Sequence, residues 1–217
     1  MTTRERYRRT IEYFTANMPD AETELRYTDP FGLIVAVILS AQCTDKRVNM
    51  ITPALLKEFP DAESMAKAEH EEVFEFIRSC SYPNNKARHL VAMARMLVSE
   101  FGGIVPSDPA ELQRLPGVGR KTANVVASVI YNKPVMAVDT HVFRVAARIG
   151  LTKNAKTPLS AELQLSSNIP DELMHKAHHW LILHGRYVCK ARTPLCGECG
   201  QKDFCRYYPR KTKQKAS

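Results

Sequence analysis

PAELQRLPGVGRKTANVVASVIY, residues 109–131, holds two helix-like patterns, PAELQRL and RKTANVVASVIY, on either side of Leu115-Pro116-Gly117-Val118-Gly119. Two glycines one residue apart permit positive φ and let bare backbone approach a ligand. The second helix opens with N–H groups that lack intrahelical partners, aimed at the same place. Such a turn suits an anion. Gly and Pro also punctuate ordinary helix–helix connections. The adjacent Arg120-Lys121 pair tips the balance toward anion binding, so Leu115, Gly117, Val118, Gly119 and Arg120 are candidate phosphate contacts.

Outward from this hairpin the chain keeps a helical period, with runs at Arg4 to Ala16, Asp45 to Phe59, Glu69 to Cys80 and Lys86 to Phe101. Gly102 and Gly103 suit the stop of the last of these, and Ser107 or Asp108 can cap a helix whose first turn holds Pro109. A run from Thr140 to Ile149 stops at Gly150, and another from Asp171 to Leu183 ends near Gly185. Leu33 to Leu39, in FGLIVAVILS, would fit a buried strand or a buried helix. No hairpin partner follows it, so it reads as helix and the chain as all-α. That stretch is far shorter than the roughly 20 residues a bilayer demands. The N-terminus, MTTRERYRRTIEYF, has no uninterrupted apolar core of a secretory signal, so the chain is expected to stay inside the cell. The tail PRKTKQKAS is basic, polar and reads as frayed.

Charge and cysteines narrow the function. The 217 residues carry 31 Lys and Arg against 23 Asp and Glu, a net charge of +8, and 44% are hydrophobic. That excess favours a polyanionic partner, nucleic acid first, although it is spread along the chain rather than gathered in one run. Four of the six cysteines fall in Cys189-x6-Cys196-x2-Cys199-x5-Cys205. In an intracellular chain this spacing points to a metal centre of four thiolates, zinc or an iron–sulfur cluster, rather than to disulfides. Cys43 and Cys80 lie outside it and read as small buried hydrophobes. His178, His179 and His184 sit in an apolar helical run with Trp180, Leu181 and Leu183, which favours helix packing over a second metal site. From residue type alone, Lys121 is a phosphate-binding lysine and Asp139 a helix N-cap.

LPGVGRKTA resembles the helix-hairpin-helix of the endonuclease III family of DNA glycosylases. The likeness continues through LSAQCTD near Ser40, FGGIVP at Phe101, VDTHVFRVAARIG at Val138 and HHWLILHGRYVC at His178. Departures include Cys43 in the first of these blocks and Tyr82-Pro83 in SYPNNKA, which bear on which lesions fit. The resemblance implies two helical lobes flanking a DNA-binding cleft. One is continuous, about Glu22 to Lys133, with the hairpin at 109–131; the other joins 1–21 to 134–217 and carries the cluster loop 189–205.

It implies further that the partner is damaged double-stranded DNA. An oxidised pyrimidine is excised through a Schiff base on Lys121, and the strand is cut 3′ to the abasic site by β-elimination. An exposed lysine is neutral only about 1 time in 2,500 at pH 7, so its amine must be activated. Asp139 would steady the developing cation or help deprotonate the lysine, with His141 touching phosphate or positioning Asp139. Gln42 would fill the gap left by the flipped nucleotide, and Tyr82 would act as a second wedge. Cys189, Cys196, Cys199 and Cys205 would hold a [4Fe–4S] cluster, with Lys190, Arg192, Lys202, Arg206 and Arg210 around it. No nucleotide cofactor, no membrane, a monomeric state and a cytoplasmic location complete the expectation. Two rivals are weighed: an adenine-mismatch glycosylase relative, which uses water, lacks the lysine and has a further C-terminal domain, and a non-catalytic iron–sulfur DNA-binding protein.

Overall fold

A computed structural model describes residues 1–208; the tail 209–217, with Arg210, lies outside the described residues. Among these residues eleven α-helices follow one another. They are α1 (Thr3–Asn17), α2 (Pro30–Ser40), α3 (Asp45–Glu58), α4 (Ala62–Lys67), α5 (His70–Ile77), α6 (Pro83–Phe101), α7 (Pro109–Leu112), α8 (Arg120–Tyr131), α9 (Thr140–Ile149), α10 (Pro158–Ser166) and α11 (Met174–Tyr187). A 3-10 turn, Asp171–Leu173, leads into α11, and no strand occurs among the described residues. No helix among them is long and apolar enough to cross a membrane. The chain divides into two compact units, Thr23–Asn132 and Met1–Glu22 together with the chain from Lys133 onward.

The first unit is centred on α2, whose nine residues from Phe31 to Leu39 are all buried. A helix that is apolar all round belongs in an interior, and α3, α6 and α8 surround it. Leu33, Ile34 and Leu39 are 0% exposed; each such side chain contributes about 1.5–3 kcal/mol. The start of α2 is fixed by Asp29, whose Oδ1 accepts from the Gly32 N–H at 2.8 Å, and by Pro30 in the first turn. α8 buries Ala123, Val125, Val126 and Ala127, and leaves Arg120 and Lys121 exposed at its beginning.

The second unit is built from α1, α9, α10 and α11. Phe14 of α1 stacks on Trp180 of α11 at 5.7 Å, and Trp180 Nε1 donates to the Met18 carbonyl at 2.7 Å. Val142, Val145, Ala146 and Ile149 bring the apolar face of α9 into the same core.

Several boundaries differ from the sequence reading. α7 is one turn long rather than the full PAELQRL pattern, and α5 stops at Ile77. α4 and α10 are additional; each begins with a reciprocal cap, Asp61 with Ser64 and Thr157 with Ser160. α11 runs through Gly185 to Tyr187. A Cβ at Gly185 would lie 2.9 Å from His141 Cβ and 3.1 Å from Val145 Cγ2, so this glycine marks the close approach of α9 rather than a helix end.

His178 and His179 of α11 are packing residues here, whereas His184 Nε2 lies 3.7 Å from Cys199 Sγ. His178 Nδ1 lies 2.8 Å from the Ala137 carbonyl, and His179 is 7% exposed. Among the described residues, His178, His179 and His184 join no three-ligand grouping. Burial pushes His179 down from 6.5 to about 4, with the charges of His175 and Arg186 adding to the effect. An unfolded chain therefore takes up a proton below about pH 6.5 that the folded chain refuses until about pH 4. Stability from this residue is complete above pH 6.5 and is lost as pH falls toward 4, by up to about 3 kcal/mol. Urea unfolding of wild type and His179→Met across pH 4 to 7 should show that difference shrinking as pH falls.

Candidate functional site

The turn between α7 and α8 is specified by two glycines with different duties. Gly117 has φ +80, and a Cβ there would sit 2.9 Å from His89 Cβ. Conformation and packing both exclude a side chain. Gly119 has φ −86 and ψ 175, an extended geometry open to any residue, and a Cβ on it would meet nothing within 4 Å. Only one of the paired glycines thus uses positive φ. Gly119 is the N-cap of α8 and brings no side chain to the first-turn N–H groups. By contrast Asp29, Thr44, Asp108 and Asp139 cap their helices through side-chain oxygens. The arrangement keeps bare, electropositive backbone at the surface beside exposed Arg120 and Lys121. Leu115 and Val118, read as candidate contacts, are 2% and 5% exposed, and the Val118 N–H donates to the Leu115 carbonyl at 3.0 Å. Their side chains anchor the turn, which leaves backbone as what they offer a ligand.

Gln42 and Tyr82 also belong to the first unit. Both are exposed, and both hold left-handed backbone, φ 54 and φ 56, which is rare outside glycine and persists only where neighbours impose it. Ser81 Oγ donates to the Gln42 carbonyl at 2.7 Å, so the two loops are joined directly.

In the second unit Asp139 caps α9, its Oδ1 accepting from the Val142 N–H at 2.7 Å. The cap fixes the carboxylate's orientation. His141 is half-buried, with Nδ1 3.2 Å from Arg144 Nη2; no hydrogen bond among the described residues joins it to Asp139. Arg144 donates to the carbonyls of Gly185 at 2.9 Å and Cys189 at 3.2 Å.

The far end of α9 grips the cysteine-rich segment. Arg148 donates to the carbonyls of Lys190 and Ala191 at 2.7 and 2.8 Å, and its Nη1 lies 3.6 Å from Cys189 Sγ. The N–H groups of Arg206 and Tyr207 return to the carbonyls of Ile149 and Arg148. Arg144 and Arg148 were missed as site residues; their spacing of four, which puts both on one helix face, was the available signal.

Cys189, Cys196, Cys199 and Cys205 line one cavity with His184, Leu195 and Gln201. Burial, and then the neighbouring cysteines, push the thiols of Cys199 and Cys205 up. Four thiolates so placed need a cationic centre, which would reverse that effect. No three of the four sulfurs are within 4.8 Å of one another. Four thiolates can hold a zinc ion or an iron–sulfur cluster. Gln201 is 0% exposed and neither amide atom has a hydrogen-bond partner among the described residues. Its N–H donors suit the sulfur atoms of an iron–sulfur cluster, so donor set and surroundings fit that group.

The family of HhH-GPD superfamily base excision DNA repair proteins matches residues 35–171. Endonuclease III of Rickettsia felis is 46% identical over 198 residues, 91% of this chain and 92% of that protein. Two solved structures align closely, each 40% identical and covering 98% of this chain and 100% of the other. One is a trapped endonuclease III–DNA covalent intermediate, an estranged-adenine complex, with a TM-score of 0.92. The other is a non-covalent endonuclease III–DNA complex, with a TM-score of 0.93.

The unequal duties of the two hairpin glycines can be separated by thermal unfolding. Gly117→Ala should lower stability by about 2 kcal/mol or more, from left-handed strain and the clash with His89. Gly119→Ala should cost less than about 1 kcal/mol.

Proposed function

This chain belongs to the HhH-GPD superfamily of base excision DNA repair proteins, within its endonuclease III family, and on that premise we propose that it excises oxidised pyrimidines from duplex DNA and cuts the strand at the vacated sugar through Lys121. It is a DNA glycosylase and abasic-site lyase, and the finer chemistry follows from the placement of that lysine. The observation that carries the reading is Lys121, exposed in the first turn of α8, directly after a turn that offers uncapped backbone to phosphates. The capture of a relative as a covalent intermediate with DNA supports a covalent route.

The hairpin backbone at Gly117 and Gly119, with Arg120, holds phosphates flanking the lesion. Gln42 and Tyr82 occupy the space of the extruded nucleotide. The neutral amine of Lys121 attacks C1′ as the glycosidic bond breaks, and the base departs with the bonding pair and takes up a proton. Loss of the amine proton and opening of the sugar ring give the Schiff base. Removal of a C2′ proton then expels the 3′ phosphate. Asp139 supplies the carboxylate that assists proton transfer and balances developing positive charge, and His141, through Arg144, keeps its helix in place. Cys189, Cys196, Cys199 and Cys205 hold a [4Fe–4S] cluster, which cross-links the segment that presents Lys190, Arg192, Lys202 and Arg206 to DNA. The enzyme works as a single chain in the cytoplasm, without a nucleotide cofactor or membrane attachment.

Borohydride should trap wild type covalently on duplex DNA containing thymine glycol or an abasic site, and Lys121→Ala should abolish the adduct. Cleavage by wild type with no adduct would overturn the lysine mechanism. Gly119→Ala should weaken duplex binding by about tenfold at moderate salt, because a methyl group would enter the backbone–phosphate approach. The purified chain should carry about four irons and four sulfides, and Cys196→Ser should lose them; stoichiometric zinc instead would refute the cluster assignment.

A further inference from the structure

Lys86 is a lysine where sequence gives no reason to look for one. It lies in the first turn of α6 and is 6% exposed. Its Nζ donates to the Leu39 carbonyl at 2.8 Å and to the Ala41 carbonyl at 2.7 Å, and it makes no ion pair among the described residues. Burial lowers its affinity for the proton, so the position is an expensive one for an ammonium group. The two acceptors lie at the C-terminal, electronegative end of α2, which compensates it. Helix ends are ordinarily closed by a local turn or by water. Here the closing group comes from another helix, with the result that the end of α2 and the start of α6 are fixed to one charge.

Gln42 follows Ala41 by one residue, and Tyr82 stands one turn before Lys86, with the Lys86 N–H donating to the Tyr82 carbonyl at 3.2 Å. Both residues hold left-handed backbone that their surroundings must impose. The Ser81 hydroxyl on the Gln42 carbonyl adds a second stitch, and Cys43 Sγ and Cys80 Sγ meet at 3.9 Å beneath it. Side chains that enter one base step together have to be held in register, since a displacement of about 1 Å spoils the fit.

We propose that Lys86 is a positioning residue for duplex opening: its ammonium clamps the Gln42 and Tyr82 loops together so that both side chains enter the base stack as one unit. This rests on the reading of Gln42 and Tyr82 as the residues that fill the opened duplex. Lys86 touches neither the sugar nor the amine that attacks it. Its effect belongs to the step that separates stacked bases.

The test compares a duplex carrying thymine glycol with a single-stranded oligonucleotide carrying an abasic site, which has no base pair to open. In single-turnover reactions Lys86→Met should lose at least tenfold on the duplex and at most threefold on the single strand. Fluorescence of 2-aminopurine beside the lesion should rise more slowly in the variant, reporting slower opening. Ser81→Ala, which removes only the second stitch, should show a smaller loss with the same bias toward duplex, and it serves as the test if Lys86→Met does not fold. Equal losses on both substrates, or none, would overturn the clamp. Gln42→Ala and Tyr82→Ala separate this failure from that of the underlying reading. If they lose duplex activity selectively and the Lys86 and Ser81 variants do not, the clamp alone is wrong. If they show no such bias, the assignment of Gln42 and Tyr82 falls and the clamp falls with it.

Discussion

One arginine, through its guanidinium and its backbone carbonyl, ties the first and last cysteines of the motif to a helix. Arg148 places Nη1 3.6 Å from Cys189 Sγ while its own carbonyl lies 3.3 Å from Cys205 Sγ and accepts the Tyr207 N–H at 3.0 Å. The segment between those cysteines has little regular structure to hold it, so its position is inherited from α9. Arg144, one turn earlier, extends the attachment to Gly185 and Cys189. The N-cap of that same helix is Asp139. A cluster bound by the cysteines would therefore brace, through two arginines, the helix that aims the carboxylate.

The other unit solves a similar problem with apolar packing and one buried charge. α2 has no polar face and so sits in the interior; α8 lies on it and presents Arg120 and Lys121 outward. The hairpin before α8 is rigid where it must be and bare where it must be. Gly117 is locked by geometry, whereas Gly119 leaves open space that no described residue fills. Lys86 carries the same logic to the opposite end of α2, closing that helix with a group from α6.

Much of this was legible in sequence because it depends on local chemistry. Asp108-Pro109, Asp139-Thr140 and Gly150 mark helix ends through capping and proline effects that act within a few residues. The hydrophobic run before Ser40 fitted a buried strand as well as a buried helix, and the want of a hairpin partner decided for helix. What could not be read is contact between distant residues. Gly185 looks like a helix stop until α9 is seen against it, and a lysine such as Lys86 looks solvated until its carbonyl partners are known. α4 and α10 are too short for periodicity to announce, and their Asp–Ser and Thr–Ser caps lack the acidic third residue that flags a start. The burial of the Leu115 and Val118 side chains could not be read either, since it depends on what the turn packs against.

The exposure of Lys121 bears on how the proposed reaction begins. A lysine amine becomes a nucleophile only when its proton is removed, and desolvation is the strongest general force in that direction. The chain does not bury this side chain, although it buries Lys86 nearly completely. Desolvation of the reacting amine must then come from the substrate, when DNA is seated on the hairpin and a nucleotide is brought out to the lysine. Its activation is tied to the one event that delivers C1′. The lysine proposed to react is therefore left exposed by the fold, while the lysine proposed as a clamp is covered by it.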